Sequence, residues 1–412
     1  MSSERNRLSA AETAARLGVK PETLYAYVSR GLLGRERDRF GSTFDPIEVE
    51  RFAASRRRSA GRAPLVIKDG RPSGGPLMTI DTDVALIEDG ELYYRGRSAT
   101  ELARTHSFEA VCQWLWGGDL DHAAGFSPLP GAAERLAAVL AALPADTSTG
   151  DRIRVAVPVI AGADPLREDR DPASVAHRTG AMIITLVAAL SPTLPAAGSP
   201  LGVADHLASA LARADAVDRS RIARLINSSL VLLVDHDLAV STLAARAAAS
   251  ARANLYAVIT SGLGALDSAL HGSASRAAYR MIGEVVGGRP ARTVVAATIA
   301  SGAGGVPGFG HRVYTDADPR AHVIMEQLTE LPQARPVLAA VDDLVAVMAR
   351  NARGFPNVDL ALAALALVGG MDEDAGSVIF AIARIGGWIA HALDEYQQAP
   401  LRLRPIGRYV GP

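Results

Sequence analysis

The spacing of apolar residues constrains this chain most. Beyond residue 96, Leu, Ala, Val and Ile recur three and four positions apart in SFEAVCQWLWGG, AAERLAAVLAAL, HRTGAMIITLVAAL, ADHLASALARA and DRSRIARLINSSLVLLV, with Gly, Pro and Asp breaking the runs. That period lines one face of an α-helix, so the spacing predicts a mainly α protein. Strand patterning is local: polar and apolar residues alternate from Leu77 to Asp89, and GELYYRG reads as a short strand and turn. There is no fixed-period repeat of the solenoid kind. With 412 residues and 49% hydrophobic content the chain can bury a large core, and its length predicts two or three domains.

No run approaches the roughly 20 unbroken apolar residues of a membrane span, and MSSERNRLSA has no signal-peptide core. A soluble, cytoplasmic protein is expected. The single cysteine, Cys112, excludes an intramolecular disulfide and a cysteine-rich metal site, and its context AVCQWLW reads as core packing. Arg outnumbers Lys 41 to 2, so carboxylates and phosphates will meet guanidinium forks.

The net charge of -1 hides a local imbalance: residues 1–62 hold 13 Lys and Arg against 8 Asp and Glu. Here the sequence predicts a helix over Ala10–Leu17 with a Ser9/Glu12 capping box, a turn at Gly18 and Val19, and a second helix over Pro21–Ser29 stopped by Gly31. LSAAETAARLGVKPETLYAYVSRGLL resembles the helix-turn-helix of MerR-like and excisionase-like proteins, with RERDRFGSTF as wing and DPIEVERFAASRRR as closing helix. The resemblance puts Thr23, Tyr25 and Tyr27 on or beside a recognition helix and Arg30, Arg35, Arg37 and Arg39 near phosphates. The alternative is a helical unit that only packs against the rest of the protein. Residues 61–76, rich in Arg, Gly, Ser and Pro, read as a linker.

Four motifs farther on could carry chemistry. In PGFGHRVYTDADPR, glycines let the backbone approach a ligand, His311 follows them directly and Arg320 comes nine residues later. The stretch has neither the GxGxxG spacing of a dinucleotide fold nor that of a phosphate loop, and alone His311 would read as a surface histidine. In GLGALDSALHGSAS, His271 lies near a helix N-terminus, where the dipole favours a neutral imidazole able to donate to a carbonyl oxygen. In VDHDLAVSTLAAR, His236 sits at or near a helix start between Asp235 and Asp237, which would favour the protonated, anion-binding form or simply make a capping cluster. In ARGFPNVDLALAAL, Asp359 reads either as a desolvated general base or as a helix cap.

Together these stretches resemble the citrate synthase family over roughly residues 77 to 412. IEDGELYYRGRSATELARTHSFEAVCQWLWGG is similar to the family's opening, DHDLAVSTLAAR and LHGSAS to its two histidine motifs, and PGFGHRVYTDADPR to its signature; NVD, ARIGGWIAHALDE and RPIGRYVGP follow in family order. The resemblance implies a two-domain helical fold, preceded here by a small winged helix-turn-helix domain over residues 1–60. The large domain would span 77–274 and 381–412, and the small domain 275–380, closing over two substrates.

The implied activity is condensation of acetyl-CoA with oxaloacetate to citrate and free CoA, with no tightly bound cofactor and no metal. His271 would hydrogen-bond the thioester carbonyl while Asp359 removes the neighbouring proton, and His311 would polarise the carbonyl of the 2-oxo acid. His236, Arg320 and Arg384 would hold its carboxylates. Gly305, Val306, Pro307, Gly308 and Phe309 would meet coenzyme A through backbone groups. Arg404 would reach the neighbouring subunit's site, implying a homodimer. Leu233, Ser273, Ser275, Leu360 and Ala361 depart from the family's usual residues and bear on the acyl pocket. The alternatives are a 2-methylcitrate synthase using propionyl-CoA, since one methylene is worth only about 1 to 3 kcal/mol, and a DNA-binding regulator that senses metabolites through an enzyme-like domain.

Overall fold

The computed structural model describes residues 7–38, 41–59, 79–121, 124–190, 201–213, 218–268, 274–301, 305–349, 354–406 and 409–411. The expected linker at 61–76 lies outside them, as does Arg39.

The N-terminal elements follow their local signals. Ser9 caps α1 (Ala10–Leu17) and Glu12 reaches back to the Ser9 amide at 2.8 Å, completing the capping box. Gly18, left-handed at φ 62, ends that helix. Pro21 opens α2 (Pro21–Ser29). β1 (Leu8–Ser9) and β2 (Glu36–Asp38) then flank β3 (Gly41–Phe44) in an antiparallel sheet, and α3 (Pro46–Ser59) closes the unit. Leu8, Leu17, Leu24, Leu33, Phe44 and Val49 form its own small core. Tyr27 is turned inward, edge-on to Phe52 at 4.9 Å, so it is a packing residue and not part of an outward reading face.

The main body opens with a small antiparallel sheet of β4 (Ala85–Glu88), β5 (Glu91–Tyr94) and β6 (Arg97–Ser98). Helices follow: α4 (Ala99–Thr105), α5 (Phe108–Leu115), α6 (Ala132–Ala141), α7 (Thr149–Ala161), α8 (Pro172–Leu190), α9 (Val203–Leu211), α10 (Arg219–Leu233), α11 (Val240–Ser250) and α12 (Leu255–Leu266). After them come α13 (Ala274–Val286), α14 (Ala291–Ala300), α15 (Pro319–Leu328), α16 (Arg335–Met348), α17 (Val358–Val368) and α18 (Ala375–Tyr396).

The helix α18 is the axis of the body, packed on α7, α10, α11, α12 and α17. Although α8 and α18 are long and apolar enough to cross a bilayer, both are largely buried among other helices, and α18 carries Arg384 and Glu395 inside the protein. Gly386 and Gly387 let α18 approach its neighbours. A Cβ on Gly386 would lie 2.7 Å from the buried Cys112 sulfur, and one on Gly387 2.3 Å from the Val234 carbonyl. Cys112 is thus a core residue, as its context indicates.

A second group forms where α13 packs on α16 and α17, α15 on α17, and α14 on α16. It meets the first where α15 leans on α10 and α17 on α18. The N-terminal unit docks on this second group. Its α3 lies along α14, Ile47 is buried in the main core, Ala300 packs on the small core, and Asp45 pairs with Arg292.

Candidate active site

The seam between the two helical groups collects five of the expected residues from four segments. His236 sits in the loop between α10 and α11, His311 and Arg320 in and after the loop that leads to α15, Asp359 in the first turn of α17, and Arg384 in mid-α18.

Backbone hydrogen bonds join the glycine loop to α17. The Gly310 amide donates to the Phe355 carbonyl at 2.8 Å, and the Asn357 amide to the Gly308 carbonyl at 2.9 Å. Asn357 Nδ2 reaches the Gly310 carbonyl at 2.8 Å. Gly308, at φ 80, rests on Leu360, where a Cβ would come within 2.7 Å of that side chain. This contact needs glycine twice over, for its dihedral and for its size. Within the loop Val306 and Gly308 are buried and Gly305, Pro307 and Phe309 half-buried.

Asn357, not Asp359, caps α17: its Oδ1 accepts from the Asp359 amide at 3.0 Å. The Asp359 carboxylate is therefore free of the capping role, and among the described residues it has no hydrogen-bond partner. Burial raises it from 3.8 to about 6, with Arg320 opposing the shift and Asp318 adding to it. A carboxylate with that affinity for a proton is suited to accept one from carbon.

The His311 ring is fixed by the backbone. Its Nδ1 accepts from the Val313 amide at 3.0 Å and more weakly from Tyr314 at 3.4 Å, so the ring proton belongs on Nε2. Burial and the Arg320 charge lower it to about 4. His311 is thus a neutral donor through most of the pH range.

His236 corrects the sequence reading. It belongs to no helix, since α11 begins only at Val240. Its flanking carboxylates do not hold its proton: Asp237 is exposed, and Asp235 turns toward α18. Burial, Arg320, Arg384 and His311 instead push it well below 6.5. The ring is therefore a neutral imidazole, with its Nε2 3.1 Å from the Tyr314 hydroxyl. The His236 and His311 rings meet edge to face at 5.0 Å.

The two arginines differ in what they leave free. Arg320 is gripped by Asp318 through Nε and Nη2, each at 2.9 Å, and Asp318 also accepts from the Val358 amide at 2.9 Å. Burial opposes that charge, but Asp318 outweighs it, raising the guanidinium further. Among the described residues Arg384, 1% exposed, finds no hydrogen-bond acceptor for Nε or Nη1, and Asp235 Oδ1 lies 3.9 Å from Nη1. Buried N–H groups left unpaired are costly, and these two mark a place for an anion.

His271 and Ser273 lie outside the described residues. Arg404 is exposed. Of the residues that depart from the family pattern, Leu233, Leu360 and Ala361 are fully buried, and Ser275 pairs with Ser377 at 3.2 Å. Sequence reading missed Tyr314, Asp318 and the buried Tyr94, whose hydroxyl lies 3.0 to 3.2 Å from the carbonyls of Val231, Leu232 and Asp235 and shapes the His236 loop.

A buried carboxylate of raised pKa, a neutral imidazole and a guanidinium with two unsatisfied N–H-bearing nitrogens, gathered at a seam between two helical groups, are suited to moving a proton beside an anionic substrate. The citrate synthase C-terminal domain model matches residues 76–408. The chain is 30% identical over 344 residues to citrate synthase of Mycolicibacterium smegmatis, covering 79% of this chain and 90% of that protein. It is also 30% identical over 345 residues to 2-methylcitrate synthase of Mycobacterium tuberculosis, covering 79% and 86%.

Among solved structures, citrate synthase of Thermotoga maritima superposes with a TM-score of 0.67 at 25% identity, over 84% of this chain and 96% of that one. The ternary complex of Thermoplasma acidophilum citrate synthase with carboxymethyl coenzyme A and oxaloacetate shares the fold, with a TM-score of 0.65 at 24% identity over 82% and 94%. The chain belongs to the citrate synthase family. It is an acyltransferase of that type, for which coenzyme A is part of a substrate and no cofactor is tightly bound.

Proposed function

We propose that the chain condenses acetyl-CoA with oxaloacetate, releasing citrate and CoA. The observation that carries this reading is the convergence of Asp359, His311 and the unpaired Arg384 at one seam. Asp359 takes a proton from the acyl carbon while His271 donates a hydrogen bond to the thioester oxygen. The resulting enolate carbon attacks the ketone of oxaloacetate, whose oxygen takes the His311 Nε2 proton. Water then cleaves the thioester. A single positioned donor of this kind is typically worth about 3 kcal/mol and a general base roughly a hundredfold or more.

The substrate carboxylates fall to Arg384, Arg320 and His236. Gly305 to Phe309 offer backbone groups to coenzyme A, and residues 275–380 act as the small domain that closes over both substrates. A homodimer in the cytoplasm, with Arg404 entering the partner's site, completes the assignment.

The second reading, 2-methylcitrate synthesis from propionyl-CoA, is favoured by the equal 30% identity to relatives of both names. Relative kcat/KM for acetyl-CoA and propionyl-CoA, each with oxaloacetate and followed by thiol release, decides between them. Absence of turnover with either would refute both.

For residues 7–59 we infer a winged helix-turn-helix that binds DNA while docked on the enzyme. α3 is used for docking, whereas Tyr25 on α2, Arg30 just after it, and Arg35 and Arg37 before and within β2 are exposed. Salt-dependent duplex binding, lost in a triple Arg30, Arg35 and Arg37→Glu variant, is the expected result. Binding unchanged in that variant would leave only the packing role.

A further inference from the structure

Behind Arg384 lies a chain of buried polar side chains that the proposed chemistry does not use. Asp235 Oδ2 lies 3.1 Å from His391 Nε2, and His391 Nδ1 lies 2.9 Å from Arg246 Nη1. Arg246 Nη2 donates to Glu395 Oε2 at 3.0 Å, and Arg402 grips Glu395 through two hydrogen bonds of 2.7 and 2.6 Å. Asp235, His391, Arg246 and Glu395 are each 0 or 1% exposed.

The donors fix the direction of the chain. Arginine only donates, so His391 Nδ1 must accept from Arg246, and the ring proton is placed on Nε2, where it is donated to Asp235. That bond holds Asp235 by one oxygen. The other, Oδ1, has no hydrogen-bond partner among the described residues and stays 3.9 Å from Arg384 Nη1, close enough to balance its charge yet too far to take its N–H.

We propose that His391 is a positioning residue for recognition of the 2-oxo acid: by holding Asp235 back, it leaves the Nε and Nη1 groups of Arg384 available to a substrate carboxylate. Without His391, Asp235 is free to close on Arg384 and compete with the substrate. Arg246 acts one link farther away, by fixing the tautomer of His391. The far end of the chain, Arg402, lies two residues before Arg404, so the segment that carries Arg404 is anchored through the same links.

This inference rests on the proposed condensation, and wild-type turnover tests that separately. If the wild-type protein releases no thiol from an acyl-CoA and oxaloacetate, the functional reading fails. If it does, steady-state KM values of three variants test the chain. His391→Leu, which neither donates nor accepts, is expected to raise KM for oxaloacetate at least about tenfold while KM for the acyl-CoA stays within about twofold.

His391→Gln restores the pattern, its Oε1 accepting from Arg246 and its Nε2 donating to Asp235, and should return KM for oxaloacetate to within about threefold of wild type. Arg246→Met, which touches no substrate, should shift the same KM in the same direction by several-fold. A purely structural role for His391 would lower the yield of active enzyme and leave KM alone. Folded His391→Leu with an unchanged oxaloacetate KM would overturn the proposal. If His391→Leu does not fold, a tenfold oxaloacetate KM defect in folded His391→Gln, or none in folded Arg246→Met, would do the same.

Discussion

Replacing Asp359 by Asn separates what its burial does for catalysis from what it does to stability. Burial lifts the carboxyl from 3.8 to about 6, a shift of about 2 units that is worth roughly 3 kcal/mol between the two protonation states. The folded protein therefore holds this proton more tightly than the unfolded chain does. Below pH 3.8 both states carry it and the site costs nothing. The penalty grows between pH 3.8 and about 6 and is complete above that. Asn cannot ionise and avoids it.

Asp359→Asn is thus expected to be more stable than the parent at pH 7.5 by up to about 3 kcal/mol, or roughly 3 to 4 °C in Tm for a chain of this length. The difference should shrink below about 1 kcal/mol near pH 4. Turnover should fall by two to four orders of magnitude, roughly the worth of a general base. In the parent, kcat/KM should drop about tenfold per pH unit below 6, where the base is protonated. Calorimetry at both pH values and a thiol-release assay make the comparison. A variant that is less stable than the parent at both pH values, or that keeps near-normal turnover, would refute the assignment of Asp359 as a desolvated base.

Three further outcomes follow from the same geometry. Arg384→Ala should raise KM for oxaloacetate by about ten- to a hundredfold, since a charge-assisted hydrogen bond is worth roughly 1.5 to 3 kcal/mol, and should destabilise the fold because Asp235 is left buried without its cation; steady-state kinetics and a denaturant titration read the two effects. Gly308→Ala sets a Cβ against Leu360 at φ 80, so a loss of about 1 to 3 kcal/mol of stability is expected, together with a higher KM for the acyl-CoA; Leu360→Ala in the same chain should relieve the clash but not the dihedral strain. Oxaloacetate bound beside His236 would oppose the arginine charges that now hold its pKa down, so binding near pH 6 should take up protons, seen as a heat that varies with the ionisation enthalpy of the buffer. Zero uptake would remove the carboxylates from beside His236.

What could be read from the sequence was whatever is settled over a few residues. The Ser9 to Glu12 capping box, the left-handed Gly18 and the Pro21 helix start are local choices, and the bounds of α1 and α2 follow from them. The helical period of the main body was legible for the same reason. Some of the tertiary structure also left a trace: two glycines inside the apolar run ARIGGW weaken a helix by about 1 kcal/mol each, a cost that signals close approach of neighbouring atoms, here the Cys112 sulfur at Gly386 and the Val234 carbonyl at Gly387. Asp318 two residues before Arg320 could likewise have been seen as a clamp, because both sit at the start of one helix.

The His236 environment was not legible, and the reason is geometric. Neighbours in sequence at a loop point in different directions, so the two aspartates beside His236 reach solvent and α18, while the charges that govern its proton come from positions 311, 320 and 384. Asp235 and His391 are 156 positions apart. Only the packing of α18 against the loop after α10 makes them partners, and the two glycines permit that packing. Local sequence thus supplied the inventory of ionisable groups, whereas their protonation states depend on pairings that only the assembled fold creates. Reading charge from adjacency alone gave His236 a proton that burial, aided by Arg320 and Arg384, takes away.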